Sequence, residues 1–284
     1  MKIAAFGPDG PFTLLSGTVI FDDTQAEDDW AFEMPPVVSQ VGGAHGVYDY
    51  YDDAIYPISP TTVTKRYVLT GTYTDIKTSW TGIVRDIMTL QRSKLWGLPR
   101  GGISGDEIWA YAKLIRARAI EQAGRGQLAW PVELTFLCPE GIWYEKDLDT
   151  DQITSNVVGR ALYNGGDLPA LVKATLTATG TKITKIVITN TSSSTSITWD
   201  DTGGSGVSPG TSLIIDSEAY SVLNNGVDAY NKFSIGSGQV AWFVLRALTG
   251  AGLNSINVTV TQDAGPPTPS WVLDLEWKVP YAMR

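Results

Sequence analysis

Residues 270–284, SWVLDLEWKVPYAMR, form the stretch that decides the fold class. Large apolar residues occupy every second position from Trp271 to Val279, and the positions between them are mostly polar. A period of two residues places the apolar side chains on one face of a β-strand. The earlier stretch SLIIDSEAYSV, residues 212–222, is followed by an Asn-Asn-Gly turn at 224–226. Both stretches indicate the strands of a β-sandwich.

The rest of the second half consists of short β-rich runs separated by Gly, Ser, Asn and Pro turns. Regularly spaced short strands of this kind are typical of an antiparallel sandwich. The fold class is therefore predicted to be mainly β, with two antiparallel β-sandwich domains. The predicted strands of the second domain are 171–179, 182–190, 195–200, 212–222, 239–247, 255–262 and 271–279.

The first half combines strands with one amphipathic helix. Residues 65–74, KRYVLTGTYT, alternate with the two-residue period of a half-buried strand. From about 79 to 95, apolar residues recur at three- and four-residue steps, which predicts a helix. Ser79 is its expected N-cap, and Gly97 is expected to close its C-terminal end.

The segment 107–123 is compatible with two structures. Its Ala, Leu, Arg and Glu residues favour a helix, whereas the alternation of Trp109, Tyr111 and Lys113 favours a strand. A Gly-Arg-Gly turn follows at 124–126, and residues 128–136 then alternate clearly. Because this order fits a hairpin, a strand is predicted.

The length of 284 residues exceeds the roughly 100–150 residues of a common domain, so two domains are expected. The chain becomes polar and irregular between residues 140 and 156. We therefore place the boundary near residue 150, with an N-terminal β domain at 1–150 that contains the helix and a C-terminal sandwich at 151–284.

Composition excludes several classes of function. The formal net charge of −9 disfavours nucleic-acid binding, which needs clustered Lys and Arg. Charged residues make up 18% of the chain, below the average of about 25%, which favours an oligomer. The first residues lack the apolar run of a signal peptide, and no segment of about 18 apolar residues occurs, so secretion and a membrane span are not predicted.

The sequence indicates no catalytic site, cofactor or metal. The only histidine, His45, lies in a glycine-rich stretch with no nucleophile motif nearby, and the single Cys138 excludes an internal disulfide. Asp147, Asp149 and Asp151 have the spacing that opens a calcium loop, but the glycine and glutamate of an EF-hand are missing, so a polar linker is predicted and only a looser calcium site stays open. The sequence leaves open whether the chain has the catalytic carboxylate pair of a glycoside hydrolase, because the distance between two carboxylates depends on the three-dimensional structure.

Aromatic residues of the second half are candidates for stacking on sugar rings. Trp199 and Trp242 are the principal candidates, and Tyr220 and Tyr230 are further ones. They define the alternative function, a carbohydrate-binding adhesin or receptor-binding module.

Several short motifs, in a fixed order, carry a resemblance to a known family. The second half contains Asn164 and Gly166 in an N-x-G pattern, a G-x-x-L-x-I-D strand at 210–216, an Asn-Gly turn at 225–226, and Asn254 before the penultimate strand. The first half adds Gly46 with its tyrosine-rich sequel, the strand around 69–71, the helix ending near residue 95, the run 132–136, Pro139, and the Trp-Tyr pair at 143–144. Together they resemble the distal tail proteins of long, non-contractile-tailed bacteriophages.

The resemblance implies a structural virion protein without enzymatic activity, the hub of the phage tail tip, with a galectin-like second domain. It implies a homohexameric ring that surrounds the DNA ejection channel, with DNA only in passage. The implied partners are the tail tube protein, a tail-associated tip protein, the tape measure protein and a receptor-binding protein, without a membrane. The implied location is the virion tail tip, assembled in the host cytoplasm.

Two groups of residues acquire roles within that expectation. Asp22, Asp23, Asp28 and Asp29 would line the lumen of the ring and repel the phosphates of DNA, although a solvated loop is the more common origin of such clusters. The stretch 36–60 is a candidate intersubunit extension, because an irregular loop of that length is unusual within a compact domain. Its candidate contact residues are Gly43, His45, Gly46, Tyr48, Tyr50 and Tyr51.

Overall fold

The computed structural model describes residues 2–6, 12–13, 19–21, 61–82, 85, 93–98, 107–119, 129–138, 140–237, 242–247, 253–263 and 269–282. These residues are mostly antiparallel β-strands, as predicted. They divide into two compact units, of which the first contains the described residues up to Lys146 together with Ala282, and the second runs from Asp147 to Tyr281. We call them unit 1 and unit 2.

Unit 1 contains one sheet and one helix within its described residues. Its strands are β1 (Lys2–Phe6), β2 (Phe12–Thr13), β3 (Val19–Phe21), β4 (Thr61–Thr70), β5 (Ser93–Leu98), β6 (Ile108–Ala119), β7 (Ala129–Cys138) and β8 (Ile142–Glu145). The order along the sheet is β2-β1-β5-β6-β7-β4-β3, and β8 pairs with β6. The helix, α1 (Tyr73–Gly82), follows β4.

The long strand β6 connects the two halves of this sheet. Its first part pairs with β5 and β8, and its remainder pairs with β7. The register shifts between Leu114 and Arg116, and such an irregularity bends a strand. Within the described residues, the strands of unit 1 join into one continuous antiparallel sheet. The predicted strand at 107–123 and its antiparallel pairing with the next strand are confirmed, while the turn at 124–126 lies outside the described residues.

Apolar side chains from β4 and β7 form much of the core of unit 1. Val63, Tyr67 and Leu69 alternate along β4, while β7 buries Val132, Leu134 and Phe136 at the same period. The strand predicted at 65–74 begins earlier and ends earlier than expected. It ends because Gly71 adopts a positive φ of 135° and the next residue caps a helix.

Helix α1 begins six residues before the predicted start at residue 79. Thr72 Oγ1 accepts a hydrogen bond from Asp75 N at 3.3 Å, and Asp75 Oδ2 accepts one from Thr72 N at 3.2 Å. This reciprocal pair satisfies two backbone donors that would otherwise be unpaired, as in a capping box. The predicted C-terminal end is also wrong, because Ser93–Leu98 forms β5.

Unit 2 is a sandwich of two sheets. Its strands are β9 (Asp149–Ile153), β10 (Val157–Leu162), β11 (Ala170–Ala178), β12 (Ile183–Asn190), β13 (Thr195–Asp200), β14 (Ser212–Asp216), β15 (Ser221–Asn224), β16 (Val227–Asp228), β17 (Phe233–Ile235), β18 (Val244–Leu245), β19 (Asn254–Gln262) and β20 (Trp271–Trp277); β21 (Pro280–Ala282) ends the described strands. One sheet has the order β10-β19-β12-β13-β17. The other has the order β16-β15-β14-β11-β20-β9, with β18 also paired to β11.

The core of unit 2 lies between these sheets and follows the predicted alternation. Trp271, Leu273, Leu275 and Trp277 are all buried, and β20 pairs with β11 along seven consecutive positions. Strand β9 pairs with β20, so the first strand of unit 2 begins just before the boundary predicted at residue 150. The C-terminal stretch therefore forms a central strand, as its pattern indicates.

The strand predicted at 212–222 is instead a hairpin. Asp216 Oδ1 accepts hydrogen bonds from Glu218 N at 2.9 Å and from Ala219 N at 3.0 Å, which closes a turn between β14 and β15. A second hairpin follows, whose two-residue turn has positive φ at Asn225 and Gly226, as tight β-hairpins require. A single strand is predicted at 239–247. Among the described residues of this range, only β18 is a strand.

Three buried asparagines connect the two sheets through β18. Asn190, at the end of β12, donates from Nδ2 to Val244 O at 2.9 Å and to Asn254 Oδ1 at 2.9 Å. Asn254 also accepts from Arg246 N at 2.9 Å and donates to Arg246 O at 3.1 Å. Since β18 pairs with β11 of the opposite sheet, these amides bridge the sandwich.

Asn164 is the third of these asparagines. Its Nδ2 donates to Leu168 O at 2.8 Å and to Leu245 O at 3.1 Å, and its Oδ1 accepts from Gly166 N at 3.1 Å. Gly166 has no room for a side chain, because a Cβ there would collide with the carbonyl group of Pro280. The N-x-G pattern is therefore required by this turn.

We predict that Asn254→Ala lowers the free energy of unfolding by at least about 2 kcal/mol, because it removes the hydrogen bonds that its side chain makes with buried Asn190 Nδ2 and with the backbone N and O of Arg246. Asn257→Ala is the matched control in the same strand, where the side chain accepts one partly exposed hydrogen bond from Gly159 N. Its expected effect is about 1 kcal/mol or less. Urea unfolding of both variants measures the difference, and equal effects would contradict the bridging role of Asn254.

Candidate functional site

Two of the predicted groups lie outside the described residues. They are the acidic set Asp22, Asp23, Asp28 and Asp29, and the intersubunit set Gly43, His45, Gly46, Tyr48, Tyr50 and Tyr51. Their roles therefore stay predictions.

The two tryptophans expected to contact sugars are both buried. Trp199 is 0% exposed in β13, and Trp242 is 5% exposed. Stacking on a sugar ring requires an open aromatic face, so the structure assigns both indoles to the core of unit 2. This corrects the expectation that they present such faces at the surface.

The other two aromatic candidates meet around Trp242. Tyr220 is 40% exposed and lies edge-on to the Trp242 ring at a centroid distance of 5.4 Å. Tyr230 is 52% exposed and stacks on the same ring at 5.9 Å, while Phe233 lies 4.5 Å from it. We call these four residues the tyrosine cluster.

Backbone geometry fixes both tyrosines of this cluster. Tyr220 has a φ of 50°, a left-handed conformation that is unfavourable for a bulky residue. Tyr230 begins a short 3-10 turn, Tyr230–Lys232, where Asp228 Oδ1 accepts a hydrogen bond from Tyr230 N at 2.9 Å. The exposed rings are therefore held in place by the local fold.

A polar cleft of about 450 Å³ also lies in unit 2. Its wall comprises the end of β13, residues from the loop 205–211, the turn between β15 and β16, and the 3-10 turn. The side chains with the chemistry to contact a ligand are Asp201, Ser205, Ser208, Asn225, Asn231 and Lys232. We call this feature the polar cleft.

An ion pair lies in the wall of the polar cleft. The Asp201 carboxylate is 4% exposed, pairs with the Lys232 ammonium, and accepts a hydrogen bond from Gly206 N at 2.8 Å. Burial opposes the charged form of Asp201. The hydrogen bonds from Lys232 and Gly206, together with the charges of Lys232 and Lys182, nevertheless hold the pKa of Asp201 below its ordinary value.

Trp199, whose indole lies in the core of unit 2, is also a residue of the cleft wall. Its Nε1–H is buried and has no acceptor among the described residues. A buried donor without an acceptor costs roughly 1–3 kcal/mol, so such a group in a folded protein calls for an explanation.

Aromatic residues of unit 1 pack against one another and around a lysine. The Lys94 ammonium lies 4.6 Å from the centroid of the Trp109 ring and 5.4 Å from that of Trp96. Tyr144 lies 4.9 Å from Trp109. Since β5, β6 and β8 are neighbours, this group stabilises their packing through cation–π and ring contacts.

The described residues contain no group of three or more metal-binding side chains, and none of their helices is long and apolar enough to span a membrane. Asp151, from the calcium-like spacing, is paired with Arg160 at 2.5 Å. Burial, together with the charge of Glu140, raises the pKa of the Cys138 thiol to about 12, so this cysteine is not reactive at neutral pH.

Sequence reasoning did not find the polar cleft. Its residues come from separate segments between positions 199 and 232, and none has a motif of its own. The spacing between them in the sequence carries no signal, because the hairpins of unit 2 bring them together. Tyr220 and Tyr230 of the tyrosine cluster are predicted as sugar contacts only because they are aromatic, and nothing in the sequence indicates that they lie together.

Asp201 should contribute to stability in a pH-dependent way. Its pKa is lower in the folded state, so its contribution is present above its unfolded pKa of about 4 and is lost as the pH falls through the folded value. We expect Asp201→Asn to lower the free energy of unfolding by about 1–3 kcal/mol at pH 7, and this deficit should shrink below about pH 4.

The exposed Asp228→Asn is the matched control, since an amide oxygen still accepts the bond from Tyr230 N. Its expected effect is within about 0.5 kcal/mol. Urea unfolding across this pH range tests both variants. A deficit for Asp201→Asn that stays constant with pH would contradict the assignment.

No family model and no curated protein matches the chain by sequence. Among solved structures, the chain is similar to the SPP1 Dit (gp 19.1) protein, described as a paradigm of the hub adsorption apparatus in phages infecting Gram-positive bacteria. The identity is 13% and the TM-score 0.54, over 78% of this chain and 79% of that one. Two structures of the phage P2 baseplate in its activated conformation, with Ca and with Sr, match at 9% identity over 76% of this chain and 78% of theirs, with TM-scores of 0.37 and 0.38. The sequence-based resemblance is thus confirmed at the level of the fold, and the chain has a mainly β, Dit-like fold.

Proposed function

We propose that this chain is a structural protein of a phage tail tip, acting as a hub. The observation that carries the proposal is the likeness to the SPP1 Dit protein, which covers more of the chain than either unit alone. The low charge content and the negative net charge agree with an assembly protein that does not bind DNA. The role requires no catalysis, so we propose that the chain is not an enzyme.

The hub is proposed to be a homohexameric ring built from unit 1. Head-to-tail contacts that close after six copies form such a ring. Within the described residues, the sheet of unit 1 ends at β2 on one side and at β3 on the other. Edge strands present backbone groups that can pair with another chain, which supports protomer contacts at this sheet.

The ring joins the tail tube protein to a tail-associated tip protein, with the tape measure and receptor-binding proteins as further partners. It is located at the virion tail tip and assembles in the host cytoplasm. The galectin-like assignment of unit 2 belongs to the same proposal. The Asp22, Asp23, Asp28 and Asp29 carboxylates face the channel and keep DNA from adhering during ejection.

Native mass spectrometry and negative-stain imaging of the purified protein test the ring. The expected result is a species of six times the protomer mass of 30.7 kDa, with a central hole. Replacing residues 36–60 by a short Gly-Ser linker should give a folded monomer, because this segment is the proposed intersubunit extension.

A triple Tyr48, Tyr50 and Tyr51→Ala variant tests the same contacts without a change in chain length. Tyr163→Ala, at an exposed tyrosine of unit 2, is the control and should leave the ring intact. Rings that persist after replacement of residues 36–60 would contradict the role of that segment. A strict monomer, even with the tube protein added, would contradict the hub.

Changing Asp22, Asp23, Asp28 and Asp29 to Asn tests the proposed lumen. We expect slower DNA ejection in low salt and a weaker dependence of the ejection rate on salt. The reason is that the variant lacks the salt-sensitive repulsion between the four carboxylates and the phosphates of DNA. The control variant loses the same number of negative charges at four exposed acidic residues of unit 2, namely Asp147, Glu218, Asp228 and Asp263. Unchanged ejection kinetics in the lumen variant would refute this role.

A further inference from the structure

The polar cleft has the size of a small-molecule site. Its volume of about 450 Å³ lies within the roughly 300–1,000 Å³ of known ligand pockets. It is formed by one unit alone, so its existence depends on neither the ring nor any tail partner.

The wall of the cleft is built before any ligand arrives. Asp201 fixes Gly206 on one side, and Asn224 Nδ2 donates to Gly206 O at 2.9 Å. The hairpin turn at Asn225 and the 3-10 turn after Asp228 form the other side. A preformed site loses little conformational freedom on binding.

The groups in the wall match a neutral ligand with many hydroxyl groups. Asn225, Asn231, Ser205 and Ser208 have exposed side chains, and amides and hydroxyls both donate and accept hydrogen bonds. Hydroxyl groups of a sugar do the same, so each contact can form in either direction.

Charge argues against an ionic ligand in this cleft. The wall contains the two carboxylates of Asp201 and Asp228 and one ammonium, from Lys232. The excess of negative charge disfavours a phosphate or another anion. A metal cation is also disfavoured, because both Asp201 oxygens already accept hydrogen bonds, one from Lys232 and one from Gly206.

The tyrosine cluster begins where the wall of the cleft ends. Asn231 and Lys232 belong to the cleft, and Tyr230, one residue earlier in the same 3-10 turn, is half-exposed against Trp242. Aromatic rings with an apolar face and a polar tip suit the faces of sugar rings. The strained conformation of Tyr220, on the other side of Trp242, fits a residue held in place for binding.

From these observations we infer that unit 2 binds a neutral saccharide, with one end in the polar cleft and its extension on Tyr230 and Tyr220. This inference concerns a different surface from the ring and goes beyond the proposed hub role. It also moves the sugar contact from the two buried tryptophans to the two exposed tyrosines.

A printed array of neutral and acidic glycans, followed by calorimetry with the oligosaccharide that binds best, tests the inference on the full chain. We expect binding to neutral glycans, and a loss of affinity of about tenfold or more for Asn231→Ala and for Asn225→Gly. Gly is chosen at 225 because the position has a positive φ. Tyr230→Ala should weaken longer oligosaccharides more than disaccharides.

Asn257→Ala, in β19 and outside the cleft, is the control and should bind like the parent protein. An array without binding, binding to acidic glycans alone, or affinity that is unchanged in the Asn231 and Asn225 variants would each overturn the inference. Unfolding midpoints of the variants identify any loss caused by misfolding. Ring formation is measured in a separate experiment. The outcome of the glycan-binding test therefore neither supports nor contradicts the hub proposal.

Discussion

The need to satisfy buried amide groups is the constraint on which unit 2 depends. Its two sheets share an apolar core, and apolar contact alone does not fix how they align. Asn164, Asn190 and Asn254 each place hydrogen bonds on the short segment around β18, which pairs on its other side with β11. Unpaired amides in this position would be unfavourable, so the arrangement that satisfies all of them is selected.

The same constraint explains why the sequence resembles a phage tail family. The motif residues are those that permit turns or satisfy buried groups. Asn164 and Gly166 form the turn against Pro280, Asp216 closes the hairpin between β14 and β15, and Asn254 anchors β18. These positions leave little chemical choice, because each of them closes a turn or satisfies a buried group of unit 2.

The two units carry different kinds of surface. Unit 1 offers sheet edges and a core with an aromatic group around Lys94, which suit protein assembly. Unit 2 offers a preformed polar cleft beside half-exposed tyrosines, which suits recognition of a small ligand. A hub that joins both would connect the ring of a tail tip to a contact with saccharides.

The sequence by itself determined the strands with a clear apolar alternation, such as β7, β11 and β20, because a two-residue period is local and visible in the sequence. It placed helix α1 too late, because the capping pair Thr72 and Asp75 lies before the apolar period that guided the prediction. It also could not separate the buried Trp199 and Trp242 from the exposed Tyr220 and Tyr230. Burial depends on which segments pack over a side chain, and the cleft depends on distant turns that meet in space. Only the tertiary structure decides such contacts, because no local pattern encodes them.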